Sequence, residues 1–281
     1  MDTTARIREQ VKRLNASSEL PGLDSVVHHI ERAELYYRRG RDEHDDALFN
    51  DVVYRTNQAY EGILKEAYAL LTGNNPSNKM THQIEQAFNT GGILKARVLE
   101  LFTNYRQNWR NESTHDYNLF LSEQEAFLAI VNVSAFVSIL LDQMVERVSY
   151  LRQQELSRKR AAEVLATIPQ YDQLPLSMKL ANLLIRFTEQ YQQVMPHLLP
   201  EFREFEILGT VEGFLQSTDP ALTLTSQPQI RLGQAIMRPD LLVKRGEEQA
   251  ILELKKMLRL SPNEPLVNRG DEQLLAYLGC V

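Results

Sequence analysis

Two groups of residues in this sequence have the types and spacing that phosphate chemistry requires. The first lies in the segment WRNESTHDY, where four residues separate Arg110 from His115. An imidazole can take up and return a proton near neutral pH, and a guanidinium can bind a phosphate through paired hydrogen bonds. On one continuous helix the two side chains would point about 140° apart. They converge only if the helix ends between them, which the intervening polar residues favour. The alternative is an ordinary polar helix end.

The second group lies in two strand-like runs, RPDLLV and QAILELKK, which the turn KRGEE joins. Alternation along the second run places Glu253 and Lys255 on one face and Leu252 and Leu254 on the other. If the two runs pair as a hairpin, Asp240 lies across from the first face. Two carboxylates that hold Mg²⁺, and a lysine that positions or activates a water, are what metal-assisted phosphodiester hydrolysis needs. The alternative is that Glu253 and Lys255 form the solvated face of an edge strand.

The second group resembles the motif of the PD-(D/E)XK nuclease superfamily, with Pro239-Asp240 followed by Glu253-Leu254-Lys255. The resemblance implies a catalytic role for Lys255 and a Mg²⁺ site at Asp240 and Glu253. It also implies a further acidic ligand, Glu212, on a preceding helix. The substrate-binding residues that it implies are Gln273 and Tyr277 on a following helix. Lys256 belongs to a local basic cluster that is consistent with a phosphate path or with a solvated face.

The core of that superfamily usually contains one more strand after the helix that carries the glutamine and the tyrosine. Here the sequence ends at Val281. We therefore expect a truncated module, a sheet edge that a partner completes, or a degenerate nuclease.

The first group resembles the HEPN family over about residues 20–150. Arg110-Asn111, followed by three residues and His115, matches the R-x4-6-H motif of that family. The resemblance implies a helical bundle that forms a homodimer, with two such motifs facing one cleft, and a metal-independent endoribonuclease. In that chemistry His115 would shuttle protons, Arg110 would stabilise the phosphate, and Asn111 would help by hydrogen bonding.

Hydrophobic periodicity predicts four long helices in the first 150 residues. The first is expected to stop at Gly40 and the second at Gly73. The third is predicted over roughly residues 93–109. A capping box, Ser122 with Glu125 three residues later, opens the fourth, which continues through the apolar run AFLAIVNVSAFVSILL to about residue 154.

We therefore predict an α+β protein with three segments. Residues 1–150 form an all-α, HEPN-like helical bundle, and residues 151–198 form a helical connector. Residues 199–281 form a small α/β, PD-(D/E)XK-like module, because short strand-like runs separated by Gly, Pro and Ser begin there.

Composition excludes several classes of protein. With 281 residues, 43% hydrophobic and 24% charged, the chain has the composition of a core-forming protein. Asn and Ser interrupt the longest apolar run, and the N-terminal residues lack the apolar segment of a secretory signal. The single cysteine, Cys280, excludes an internal disulfide. Together these three features lead us to expect a cytoplasmic protein without a membrane partner. A net charge of −6 argues against non-specific coating of nucleic acid but allows a small basic cleft.

Together the two resemblances predict a nuclease of the toxin or antiphage-defence type. It would cut RNA at the Arg/His site, or RNA or DNA with Mg²⁺ at the Asp/Glu/Lys site, or both. The rival hypothesis is a non-catalytic, dimerising protein that binds nucleic acid or regulates a partner through degenerate nuclease modules. His28, His29 and Glu31 offer too few ligands for a metal, and we interpret them as a solvated or dimer-facing group.

Overall fold

The computed structural model describes residues 3–16, 20–105, 107, 121–194, 204–232 and 235–254. The chain divides into two compact units, Met1–Val148 and Ser149–Val281, called here the N-terminal and C-terminal units. The described part is mostly helical with a small sheet near the C-terminal end, which confirms the α+β class. The predicted connector, residues 151–198, contributes to the core of the C-terminal unit.

The N-terminal unit is built from helices that pack around a cluster of aromatic rings. Its helices are α1 (Thr3–Asn15), α2 (Gly22–Glu43), α3 (Ala47–Thr72), α4 (Thr81–Thr90), α5 (Ala96–Tyr105) and the first part of α6 (Glu123–Arg158). The ring of Tyr60 lies 4.8 Å from that of Tyr105 and 5.6 Å from that of Phe136, centroid to centroid. All three side chains are completely buried. Helices far apart in sequence are therefore held together at one aromatic centre.

Gly40 and Gly73, which were both predicted to end a helix, have different roles in the structure. Gly73 ends α3 as predicted, with a φ of 72° and its N–H donating to the carbonyl of Ala69. The prediction that Gly40 stops the preceding helix is wrong, because α2 continues to Glu43. Gly40 is buried, and a Cβ on it would lie 2.8 Å from the ring of Phe49. Its role is to let α2 and α3 approach closely.

The start of α6 follows the predicted capping box. The N–H of Ser122 donates to Oε2 of Glu125 at 2.7 Å, and the N–H of Glu125 donates to Oγ of Ser122 at 3.3 Å. The predicted third helix differs at its start, since α5 begins at Ala96 rather than near residue 93. The side chain of Gln143 explains the later start, because it binds the carbonyl of Ile93 and the N–H of Lys95.

Helix α6 is longer than the sequence suggested and runs to Arg158. It is the one helix of the described residues that is long and apolar enough to cross a membrane, and 67% of its most apolar window is buried within the protein. The core helix of a soluble protein has the same properties.

The described part of the C-terminal unit combines helices with two antiparallel sheets. Its further helices are α7 (Ala161–Ala166), a 3₁₀ turn (Tyr171–Gln173), α8 (Leu176–Val194) and α9 (Glu204–Thr218). Its strands are β1 (Thr223–Ser226), β2 (Ile230–Leu232), β3 (Ala235–Met237), β4 (Leu241–Arg245) and β5 (Glu248–Leu252). One sheet has the order β1–β4–β5, and β2 pairs with β3. The runs ALTLT, RPDLLV and QAILELKK are confirmed as β1, β4 and β5, whereas β2 and β3 were not predicted.

One glycine sets the close packing of α9 in the C-terminal unit. A Cβ on Gly213 would clash with the backbone carbonyl of Tyr150 in α6. Glycine is needed here because backbone cannot move aside as a side chain can. This packing fixes the helix that leads directly into the sheet.

Candidate active site

The hairpin of β4 and β5 carries the two carboxylates that the sequence singled out. Leu241 pairs with Leu252 and Arg245 with Glu248, so Gly246 and Glu247 form the turn. Gly246 has a φ of 61° and the next residue keeps a negative φ, a combination typical of the type II′ turn of two-residue hairpins. The predicted pairing of the two runs is therefore confirmed.

The register places a buried apolar face on one side of the hairpin and the two carboxylates on the other. Leu241, Val243 and Leu252 are buried in the core of the C-terminal unit. Side chains alternate along a strand, so the next pair in register, Asp240 and Glu253, lies on the opposite face. We call these two residues the carboxylate pair. Both are partly buried, at the end of the hairpin away from its turn.

Each member of the carboxylate pair binds the backbone of the other strand. The N–H of Asp240 donates to Oε2 of Glu253 at 3.0 Å, and the N–H of Leu254 donates to Oδ2 of Asp240 at 2.7 Å. The carbonyl of Asp240 accepts from the N–H of Gln227 at 2.8 Å, beyond the end of β1. The two acids therefore hold each other in place where the ladder of β4 and β5 ends.

The ionised form of Asp240 is disfavoured in the folded protein. The pKa of Asp240 is raised from 3.8 to about 6, first by burial and then by the negative charges of Glu253 and Glu204. The hydrogen bond from Leu254 acts in the opposite direction. Protonated Asp240 can also hydrogen bond to the side chain of Glu253. One proton or one cation would relieve the repulsion between the two groups.

Sequence reasoning missed Glu204, the second acid that acts on Asp240. It lies in the first turn of α9, where the exposed N–H groups of a helix favour a negative charge. The sequence shows that Glu204 is an acid near the start of a helix. That it lies close enough to Asp240 to affect its pKa depends on how α9 packs against the sheet.

The predicted additional ligand, Glu212, lies two turns further along α9 and is partly buried between Val211 and Gly213. Within the ranges that the structure describes, no three His, Cys, Asp or Glu side chains form a group that could hold a metal ion. The structure thus brings Asp240 and Glu253 together and does not add Glu212 to them.

The remaining predicted site residues lie outside the described residues. In the C-terminal unit these are Lys255, Lys256, Gln273 and Tyr277. In the N-terminal unit they are Arg110, Asn111 and His115. The described helices on either side of the Arg/His motif are α5, which ends at Tyr105, and α6, which begins at Glu123.

Two neighbouring cations on β4 have different environments. Arg245 lies against Asp219, with Nε 3.1 Å from Oδ2, and Asp219 also accepts a hydrogen bond from Tyr171 at 2.8 Å. Arg245 therefore anchors the turn end of the hairpin to the core of the unit. Lys244 is exposed, and alternation places it on the same face as Asp240.

A cleft of about 400 Å³ lies elsewhere in the C-terminal unit, between the end of α6 and the end of α9. Its lining includes Gln154, Arg158, Gln216 and Ser217 and neither member of the carboxylate pair. Gln216 and Ser217 donate hydrogen bonds to backbone carbonyls. This cleft is therefore separate from the candidate active site.

Comparison with protein-family models, curated proteins and solved structures finds no significant match to this chain.

Proposed function

We propose that the protein is a nuclease with a Mg²⁺-dependent site at the carboxylate pair of Asp240 and Glu253. The observation that carries the proposal is that the hairpin holds these two carboxylates side by side, where burial, and then the charges of Glu253 and Glu204, raise the pKa of Asp240 to about 6. Such a pair offers the oxygen ligands that a small divalent cation prefers. The donor set therefore fits Mg²⁺ held by two carboxylates together with substrate phosphate.

The roles of the residues follow from the hairpin. Asp240 and Glu253 would hold the ion, and their hydrogen bonds to the opposite strand keep both carboxylates at the sheet end. Lys255, two positions after Glu253, would position or activate the attacking water. A bound Mg²⁺ would supply charge stabilisation for the phosphate and acidify a water. Lys244 would attract the phosphate backbone from the same face of the sheet.

The resemblance to HEPN proteins supports cleavage of RNA at Arg110, Asn111 and His115 as a second activity. In the sequence the motif falls between α5, which ends at Tyr105, and α6, which begins at Glu123. This activity would need no metal and would use the proposed homodimer. A role as a toxin or an antiphage-defence effector rests on analogy with other proteins that carry such motifs.

A structural role is the rival explanation of the carboxylate pair. Its two hydrogen bonds to backbone N–H groups would by themselves close the end of the hairpin. In that case the protein would be a binding or regulatory protein, and the carboxylates would stabilise a non-catalytic module.

The test is cleavage of labelled single-stranded RNA and double-stranded DNA, each with Mg²⁺ and with EDTA. The variants are Glu253→Gln, which keeps a hydrogen-bond acceptor for the N–H of Asp240, and His115→Ala. Glu247→Gln is the matched control, because it removes one carboxylate from the exposed turn of the same hairpin.

Cleavage that EDTA and Glu253→Gln abolish, and that Glu247→Gln leaves unchanged, supports the Mg²⁺ site. RNA cleavage that survives EDTA and disappears in His115→Ala assigns the activity to the Arg/His motif instead. No cleavage by folded protein under any condition favours the binding or regulatory alternative.

A further inference from the structure

An arginine on α3 of the N-terminal unit lies between two tyrosine rings. The guanidinium carbon of Arg55 is 6.0 Å from the ring centroid of Tyr36 on α2 and 5.8 Å from that of Tyr54. Its NH1 is 3.5 Å from Nδ1 of His29 on α2. We call these four residues the arginine–tyrosine cluster. Residues of two helices thus fix the direction of one cation.

Among the described residues, the charge of Arg55 is not paired with an acid. Arg55 forms no ion pair with any residue that the structure describes. Its side chain instead contacts another basic group, His29, whose pKa is lowered by burial, by Arg55 and by His28. Arg32 is exposed, shares a face of α2 with His29 and Tyr36, and likewise pairs with no described acid. Arg55 and Arg32 are therefore two cations without an ion-paired acid among the described residues, and exposed Asp51, one turn before Arg55 on α3, forms no ion pair with either of them.

A second arginine in the same helical hairpin shows what a neutralised version of this arrangement looks like. Arg41 lies over the ring of Tyr37, 5.9 Å from its centroid, as Arg55 lies over Tyr36. There, however, Nε of Arg41 is 3.0 Å from Oε1 of Glu123, which also accepts a hydrogen bond from Tyr37. Both arginines contact a tyrosine ring, but only Arg41 also has an ion-paired acid. The lack of an ion-paired acid among the described residues therefore distinguishes Arg55 from Arg41.

The ring of Tyr54 supplies the second half of a binding surface. Its side chain is 58% exposed. Its hydroxyl accepts a hydrogen bond from Nε2 of Gln58, one turn later on α3, at 3.0 Å. The ring is thus exposed but held in orientation, with Arg55 beside it. A flat aromatic surface next to an un-neutralised arginine is the combination that binds a base by stacking and the adjoining phosphate by charge.

We propose that the arginine–tyrosine cluster is a binding site for single-stranded nucleic acid. A base stacks on Tyr54, the neighbouring phosphate binds Arg55, and the next phosphate along the strand is attracted by Arg32. The site binds strands without regard to sequence, because stacking and phosphate contacts do not read base edges. This inference is independent of the proposed Mg²⁺ site, and a strand held here would not be cut by these residues.

The experiment measures binding of a fluorescent twelve-nucleotide strand by anisotropy, with EDTA present so that metal-dependent cleavage is absent. The DNA strand is tested against the wild-type chain, and the RNA strand is tested in the His115→Ala background. The variants are Tyr54→Ala, Arg55→Gln and Arg55→Lys, and Arg41→Gln is the matched control. Circular dichroism establishes that each variant is folded.

We expect Tyr54→Ala to weaken binding roughly fivefold or more, the usual effect of losing one stacked base. Arg55→Gln should weaken binding and lower the slope of log Kd against log salt by about 0.7, which corresponds to one lost phosphate contact. Arg55→Lys should keep that slope but lose affinity, because an ammonium retains the charge without the planar contact. Arg41→Gln should change the affinity less than twofold.

Three results would overturn the proposal. The first is no binding of either strand by folded wild-type protein at about 100 μM and low salt. The second is equal weakening by Arg41→Gln and Arg55→Gln, which would mean a diffuse charge effect. The third is full competition by base-free polyphosphate with no effect of Tyr54→Ala, which would mean a simple anion site. We expect similar affinities for RNA and DNA. Binding of only one of the two strands would mean that contacts other than stacking and charge determine the affinity.

Discussion

Replacing Asp240 by asparagine should stabilise the C-terminal unit at neutral pH, although it removes a proposed catalytic residue. The amide oxygen can still accept the N–H of Leu254, which Asp240 binds at 2.7 Å. What the variant loses is the charge that burial and Glu253 disfavour. The gain should therefore depend on pH in a way that the structure specifies.

The sign follows from proton binding. Folding raises the pKa of Asp240 from an ordinary value of 3.8 to about 6, so the folded state binds more protons than the unfolded state between these limits. Stability is therefore lost as the pH rises through about 4 to 6. The full shift corresponds to roughly 3 kcal/mol at about 1.4 kcal/mol for each pH unit. Because Asp240 is only half-buried, solvent screening reduces this to about 1–2 kcal/mol.

The free energy of unfolding is to be measured in urea between pH 4 and pH 8. A brief pulse of hydrogen exchange at one fixed pH reports on peptides from β4 and β5, which separates the C-terminal unit from the rest. Asp240→Asn should match the wild type near pH 4 and exceed it by about 1–2 kcal/mol above pH 7. Glu247→Gln, on the exposed turn, should follow the wild type throughout.

Mg²⁺ gives a second readout of the same site. If the carboxylate pair binds the ion, excess Mg²⁺ should stabilise the wild type at neutral pH and leave Asp240→Asn unchanged. A variant that is less stable than the wild type at pH 7 would refute the electrostatic reasoning. Equal stabilisation of both proteins by Mg²⁺ would refute the metal site and leave the pKa argument intact.

Three further predictions concern the scaffold. Lys95→Met should destabilise the N-terminal unit by about 3 kcal/mol in urea unfolding, because it leaves the nearly buried Glu146 without the partner that Nζ provides at 2.5 Å. Gly213→Ala should destabilise the C-terminal unit by at least about 1–3 kcal/mol, since the new Cβ meets backbone of α6; unchanged hydrogen exchange in α9 would contradict this. Ser122→Ala should cost about 1 kcal/mol as a lost helix cap. That cost should shrink as the pH falls below about 4.5. The N–H and hydroxyl of Ser122 lower the pKa of Glu125 from 4.5, and a protonated Glu125 side chain binds these groups only weakly. Thermal unfolding of Ser122→Ala and of the wild type at two pH values tests this prediction.

Local signals predicted the hairpin that pairs Asp240 with Glu253 better than they predicted the scaffold. The facing of Asp240 and Glu253 required only the period of a strand and the pairing of two adjacent runs. The capping box at Ser122 and the end of α3 at Gly73 are likewise set within one turn of chain. Each of these features depends on residues that are close in sequence, and single-sequence patterns carry that information.

Most of the errors have the opposite character, because they depend on residues that tertiary packing brings together. Gly40 resembles a helix stop in sequence, yet it is needed where Phe49 of the next helix approaches. Glu204 acts on Asp240 only because α9 meets the sheet end. Strands β2 and β3 have three residues each, too few to show a reliable alternation.

The arginine–tyrosine cluster shows how a functional surface can be invisible in sequence although each of its residues is ordinary. Arg55 and Tyr54 are neighbours in the chain, but Tyr36 and His29 join them only because α2 and α3 pack side by side. The same hairpin contains Arg41 over Tyr37, and nothing in the local sequence distinguishes the two arginines. Glu123 distinguishes them, because it arrives from α6 to neutralise Arg41 and leaves Arg55 charged. Whether a surface cation is free to bind a ligand is therefore decided by the position of its nearest acid in space, and only the fold determines that position.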